Sequence, residues 1–143
     1  MTPSHVLVPL DGSRLADDAL AHALETFDCR ITVLNVVTPL DGTMSEGSAF
    51  ATGPGRLDDA DDRASELVAA ARERVGAVDQ PVETAVETGD PSEEILAYVE
   101  RHDVDHVVMG SHGEGRGELR RRLLGTVSTA VLAEASVPVT VVR

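Results

Sequence analysis

Apolar positions along this chain gather into five short runs, at residues 5–10, 31–37, 82–88, 106–110 and 137–142. They are rich in valine and show little strict alternation, the pattern of strands buried on both faces of a parallel sheet. Between them, apolar residues recur at spacings of three and four over 15–26, 57–75, 91–101 and 126–135, which predicts four helices, with 120–124 a short extra turn. Asp90-Pro91-Ser92-Glu93 suits a helix start, because proline is tolerated in the first turn and acids favour the positive end of the helix dipole. Strand and helix therefore alternate along the whole chain, which predicts an α/β fold around a parallel sheet. The stretch 38–56 breaks the rhythm with Gly42, Gly47, Gly53, Pro54 and Gly55, and is expected to be a long loop. Phe50 within it either covers a ligand or packs down on the domain.

Two of the strands end in chemistry. The first runs Val6-Leu7-Val8-Pro9-Leu10 into Asp11-Gly12-Ser13. Asp11 is thereby carried past the strand's carboxyl edge, where it either accepts hydrogen bonds from a ligand or, like Ser13, caps the next helix. The fourth runs Val107-Val108-Met109-Gly110-Ser111-His112-Gly113 into a loop of glycine and arginine that closes on Leu124-Gly125-Thr126-Val127-Ser128. Glycine lets the backbone approach an anion where a Cβ would collide, and a small hydroxyl residue both caps a helix and donates to a phosphate oxygen. A sheet-to-helix turn uses glycine in any case. Two glycine clusters flanking one loop, with a helix opening at Thr126, point further, to backbone N–H groups presented to a phosphate.

With both ends in view, the chain resembles the universal stress protein family. That family's fingerprint is a glycine, two residues, a second glycine, nine residues, then Gly-Ser or Gly-Thr. Gly110 and Gly113 have the first spacing, but eleven residues separate Gly113 from Gly125. The run from Arg116 to Thr126 is similar to the family's place by place, so the two extra residues are Glu114-Gly115; alternatively Gly115 takes the second glycine's role. Either way Glu114 and Glu118 bring negative charge to the loop.

The resemblance implies a single domain over 1–143. Its fold would be a doubly wound five-stranded parallel sheet of order 3-2-1-4-5 with helices on both faces, of the adenine-nucleotide alpha-hydrolase-like kind. Ligands of such sheets bind where the strand order reverses, outside the carboxyl ends of strands 1 and 4. The implied ligand is ATP or a related adenine nucleotide with Mg²⁺. Pro9, Leu10 and Asp11 would lie on its ribose or adenine side, and Val36 and Val37 would flank the base. Met109, Gly110, Ser111, His112, Gly113, Gly115, Gly125, Thr126, Val127 and Ser128 would surround the phosphates, with His112 either a phosphate contact or a plain loop histidine. The resemblance also implies a stress-response role through nucleotide-dependent binding and signalling, and a homodimer paired through the edge strand 137–142. A slow ATPase using the same residues is the alternative, but the chain has no Walker-type Gly-Lys-Thr, no lysine at all and no evident nucleophile–base pair. The loop insertion leaves a third reading, a member that binds no nucleotide and acts through protein contacts.

Composition sets the remaining bounds. The 143 residues fit one domain, and the chain carries 25 acidic against 12 basic residues, a net charge of −13, with every basic residue an arginine and 2% aromatics. Such a surface points to a halophilic protein working in molar salt, where screening shortens the Debye length to about 3 Å; an ordinary acidic protein from an arginine-favouring, GC-rich genome is the alternative. The charge argues against nucleic acid as a partner, since phosphate backbones need a basic footprint. Arg116, Arg120, Arg121 and Arg122 cluster within seven residues, to offset a triphosphate or the acidic surface. The lone Cys29 excludes an intrachain disulfide, no apolar run approaches the roughly 20 residues that cross a bilayer, and residues 1–4 carry no basic signal region. A cytoplasmic protein without membrane contact is expected. His102 and His106 are expected at solvated positions, and no metal site is expected.

Overall fold

The computed structural model describes residues 3–10, 14–37, 54–76, 79–111 and 126–143. In chain order the elements are β1 (His5–Leu10), α1 (Arg14–Thr26), β2 (Arg30–Val37), α2 (Pro54–Val75), β3 (Val82–Thr88), α3 (Pro91–Arg101), β4 (His106–Gly110), α4 (Thr126–Glu134) and β5 (Val139–Val142). The strands form one sheet in the order β3-β2-β1-β4-β5, with every pairing parallel. This is the doubly wound order that the family resemblance implies.

Alternation along the central strands sends side chains to two separate cores. Val6, Val8 and Leu10 of β1, Ile31 and Val33 of β2 and Val108 of β4 face α1 and α2. There they meet Ala16, Ala19, Leu20, Ala23 and Leu24, which recur at helical spacing along α1, and Ala64, Val68 and Ala71 of α2. Leu7, Leu34, Val107 and Met109 project to the other side, against Ile95, Tyr98 and Val99 of α3 and Val131 of α4. Fully burying a valine- or leucine-sized side chain is worth about 1.5–3 kcal/mol, so these two layers fix the strand register.

Local chemistry sets the helix ends. Asp90 caps α3, its carboxylate accepting from the Glu93 N–H at 3.1 Å and the Ser92 hydroxyl at 2.8 Å, with Pro91 next to it in the first turn. After α3 the chain reverses through Asp103, whose positive φ of 53° suits a short polar side chain, and enters β4.

Several boundaries differ from the sequence-based expectation. The last strand begins at Val139 rather than 137, because Pro138 offers a carbonyl to the Val107 N–H (3.0 Å) but has no N–H to return. Helix α2 begins at Pro54, so residues 54–56, expected in the loop, are helical. Strand β2 starts at Arg30, α1 at Arg14, and α4 ends at Glu134, each one residue from expectation. Burial on both faces holds for β1 and most of β2 and β4, but β3 and β5 are only partly buried, since each is an edge of the sheet. The rest of the expected loop, with Phe50, and the extra turn at 120–124 lie outside the described residues.

Candidate functional site

The sheet is least tightly knit between β1 and β4. Six residues of β1 pair in register with β2, whereas the β1–β4 register covers only Val6 with His106 and Leu7 with Val107. Beyond those rungs the strands run unpaired to their carboxyl ends. Sequence supplies the reason. The His5 carbonyl accepts from the Asp105 N–H (2.8 Å), so the backbone groups of His5, and by alternation those of Leu7 and Pro9, are directed toward β4. The next rung would need an N–H from Pro9, and proline has none. The ladder therefore stops where the strand order reverses, the place outside the carboxyl ends at which ligands of doubly wound sheets bind.

The described members of the expected site gather around this edge. Pro9 and Leu10 end β1, and Leu10 is buried. Val36 and Val37 extend β2 beyond Asn35, which is paired with Leu10, so both lie one or two residues above the end of β1 and are half-buried. They project to opposite faces by strand alternation, and Val36 packs on the α3–α4 core. Met109 and Gly110 end β4 in register with Val141 and Val142 of β5. Ser111 follows, fully buried, its N–H donating to the Val142 carbonyl at 2.9 Å. Thr126 opens α4 exposed to solvent, and Val127 packs half-buried on the α3–α4 core. Ser128 is buried and donates its hydroxyl to the Ser111 carbonyl. Ser128 thus ties the first turn of α4 to the end of β4, a structural bond that the sequence reading, which placed this hydroxyl among the phosphate contacts, did not foresee. Asp11, His112, Gly113, Gly115 and Gly125 lie outside the described residues.

The arrangement suits an anion. Gly110 is the last residue of β4, and α4, tied to the end of β4 through Ser128 and Ser111, brings the positive dipole end of a helix start to the same edge. The apolar ends of β1 and β2 supply a wall for a planar ring.

Most of the perturbed titratable side chains lie at the opposite, amino edge. Burial lowers the pKa of His5 and of His106 and raises that of Cys29 and of Tyr98. The hydrogen bond with Arg30 lowers Glu83, and those from Ser4 lower Asp105. The expectation of solvated histidines at 102 and 106 is corrected for His106, which is half-buried, hydrogen-bonded through Nε2 to the Thr140 hydroxyl at 2.7 Å and packed 4.9 Å from the Phe27 ring. It is the start of a strand under the end of α1, and helix packing removes it from water. His102 is exposed and stacks on Tyr98. Among the described residues no group of three or more His, Cys, Asp or Glu could hold a metal ion, and no helix is long and apolar enough to cross a membrane.

Comparison with known proteins agrees with this geometry. The universal stress protein family matches residues 3–143. Universal stress protein MJ0531 of Methanocaldococcus jannaschii is 31% identical over 143 residues, an alignment covering 96% of this chain and 81% of that protein. The fold is shared with a universal stress protein solved in complex with cAMP, at 19% identity, TM-score 0.69 and coverage of 100% of this chain and 99% of that one. It is also shared with a universal stress protein family protein from Arabidopsis thaliana solved with AMP bound, at 22% identity, TM-score 0.63 and coverage of 98% and 91%. A family match of that span, with a relative above 30% identity across nearly the whole chain, means that this chain belongs to the universal stress protein family.

Proposed function

We propose that this protein binds an adenine nucleotide, ATP with Mg²⁺ foremost, in the crevice where β1 and β4 part, and that it acts in the stress response as a nucleotide-dependent binding and signalling module. The observation that carries this reading is the ladder that stops at Leu7 and Val107, opening the sheet at its switch point beside the start of α4. The AMP and cAMP bound by the two structural neighbours support the adenine nucleotide.

In this reading Pro9, Leu10 and Asp11 line the ribose and adenine side, and Val36 and Val37 border the base. Backbone N–H groups from Gly110 to Gly113, with Gly115, Gly125 and the first turn of α4, hold the phosphates, because a helix start and glycine-rich backbone bring donors close to an anion. Ser111 and Ser128 hold β4 and α4 together beneath them. Mg²⁺ would neutralise phosphate charge in a loop that also carries Glu114 and Glu118. Binding without turnover is favoured, since the chain has no lysine to stabilise a transferring phosphoryl group. The whole chain acts as one domain in the cytoplasm, paired as a homodimer through β5.

Protein purified in molar KCl is expected to release an adenine nucleotide that mass spectrometry identifies. Release of no nucleotide, together with no ATP binding by calorimetry, would replace this reading with a family member acting through protein contacts alone. Gly125→Val puts a branched side chain where backbone must approach phosphate. It is expected to weaken ATP binding about tenfold or more, or about 1.4 kcal/mol, with the melting temperature little changed.

A further inference from the structure

The amino edge of the sheet carries two histidines that the nucleotide site does not use. His5 is 4% exposed at the start of β1, and Thr32 beside it on β2 is fully buried. The His5 Nδ1 lies 3.1 Å from the carbonyl of His102, the cap residue just after α3, and its Nε2 lies 2.8 Å from the Thr32 hydroxyl. A carbonyl only accepts, so Nδ1 carries the hydrogen. In the neutral ring Nε2 is then the acceptor and the Thr32 hydroxyl donates to it. The other histidine, His106 at the start of β4, repeats the arrangement on the opposite face, with Nε2 on the Thr140 hydroxyl of β5. In both pairs the threonine is in register with the residue two places beyond the histidine: Leu7 with Thr32, and Val108 with Thr140.

We propose that this edge is an acid-sensitive clamp: neutral His5 and His106 close it through their threonine partners, and protonation of the imidazoles loosens the junction of β1, β4 and α3. A proton on His5 Nε2 turns that nitrogen into a donor, so the Thr32 hydroxyl hydrogen must turn away and its oxygen accept instead. The bond to Thr32 is then reversed rather than lost, but a charged ring is held at a site 4% exposed with only a neutral carbonyl and a neutral hydroxyl as ring partners. The charged groups around His5 are Arg30 on β2, which opposes the proton, and Glu83 on β3 and Asp105 before β4, which favour it. Arg30 and Glu83 are engaged with each other at 2.8 Å, and one Asp105 oxygen already accepts from the Ser4 N–H, the Ser4 hydroxyl and the His5 N–H. Around His106 the titratable neighbour is His22 of α1, which opposes the proton, and the Phe27 ring packs against the imidazole.

The sign of the effect follows. Burial lowers both histidines below 6.5, so the unfolded chain takes up protons first as pH falls. The stability they contribute is complete above 6.5 and is lost as pH falls from there through the folded-state values. Protonating carboxylates in a chain of net charge −13 relieves repulsion and acts the other way, so acid loss near neutrality is diagnostic of the histidines.

The experiment is the urea midpoint of the whole protein in molar KCl from pH 7.5 to 5.5, for the parent and for H5N/H106Q. Asparagine keeps a donor toward the His102 carbonyl and glutamine keeps a polar group toward Thr140, but neither titrates. The parent midpoint is expected to fall with pH and the variant's to stay level or rise. In the parent, NMR of the ring protons is expected to show His5 and His106 titrating below 6.5, and amide exchange at His5, Asp105 and Val107 to quicken as they do. A parent slope that survives in the double variant, or ring titrations at or above 6.5, overturns the proposal. If the variant does not fold, the parent's ring titration and amide exchange decide it.

Discussion

Single residues in this chain divide into those whose role is local and those whose role depends on a distant partner. Gly89 is local. It leaves β3 at φ +149°, a region that side chains rarely adopt, and its N–H donates to the Val37 carbonyl at 3.0 Å. A Cβ there would lie 2.9 Å from Glu94 Cγ, which can move aside, so the cost is mainly backbone strain. Gly89→Ala is expected to destabilise the fold by about 1–3 kcal/mol in urea unfolding, and a variant as stable as the parent would show that the turn relaxes freely. Asp90 is local too, and its capping role was legible from the four residues 90–93. His5 and His106 were not legible. Each sits in an apolar run whose pattern says strand, and the threonines that engage them lie 27 and 34 residues away. The Ser128–Ser111 bond was hidden for the same reason, since a hydroxyl after a glycine reads as a cap or a ligand until the facing carbonyl is known.

At the scale of elements, strand and helix positions follow from periodicity, and the differences arise where proline or an edge intervenes. Pro54 starts α2 earlier than the glycine-rich pattern indicated, and Pro138 delays β5. Pro9 has the larger consequence, because it has no N–H with which to continue the β1–β4 ladder at the point where the strand order reverses. Pro9→Val restores an N–H directed toward β4. It is expected to extend the ladder by a rung, keep or raise the melting temperature, and weaken adenine nucleotide binding in calorimetry by narrowing the crevice. Unchanged affinity would mean that the parting of the strands does not depend on the missing donor.

At the scale of the whole molecule, surface charge and the two sheet edges govern behaviour. Helix α2 shows Asp62, Glu66 and Glu73 to solvent, and ion pairs such as Arg30–Glu83 and Arg74–Asp18 are themselves exposed and contribute little. Repulsion among unpaired carboxylates should therefore be the largest salt-dependent term. The melting temperature is expected to rise substantially between about 0.1 M and molar KCl, as the Debye length falls from about 10 Å to about 3 Å. A flat profile would favour compositional bias over salt adaptation. Edge strand β5 is half-buried along its length, with Leu132 of the neighbouring α4 41% exposed, which suits pairing with a second copy across a two-fold axis. Val141→Glu is expected to convert dimer to monomer mass by light scattering in molar salt; a monomeric parent or a dimeric variant would exclude this edge as the interface.

The sequence by itself determined the strand and helix alternation, the α3 cap, the acidic composition and the two strands, β1 and β4, whose ends carry glycine and polar residues. These are encoded over a few to some twenty residues, where periodicity, turn chemistry and charge act without reference to the rest of the chain. The sheet order came from a family resemblance and was then found in the fold, because hydrophobic period fixes that a strand is buried but not which strand lies beside it. Only the tertiary structure decided which strands would be half-exposed edges, that the β1–β4 ladder stops at Val107, and that His5, Thr32, Tyr98 and the end of α3 meet at one edge. Each of these depends on contacts between segments far apart in the chain, and a hydrogen bond or a desolvated ring acquires its energy only when packing has brought both partners out of water.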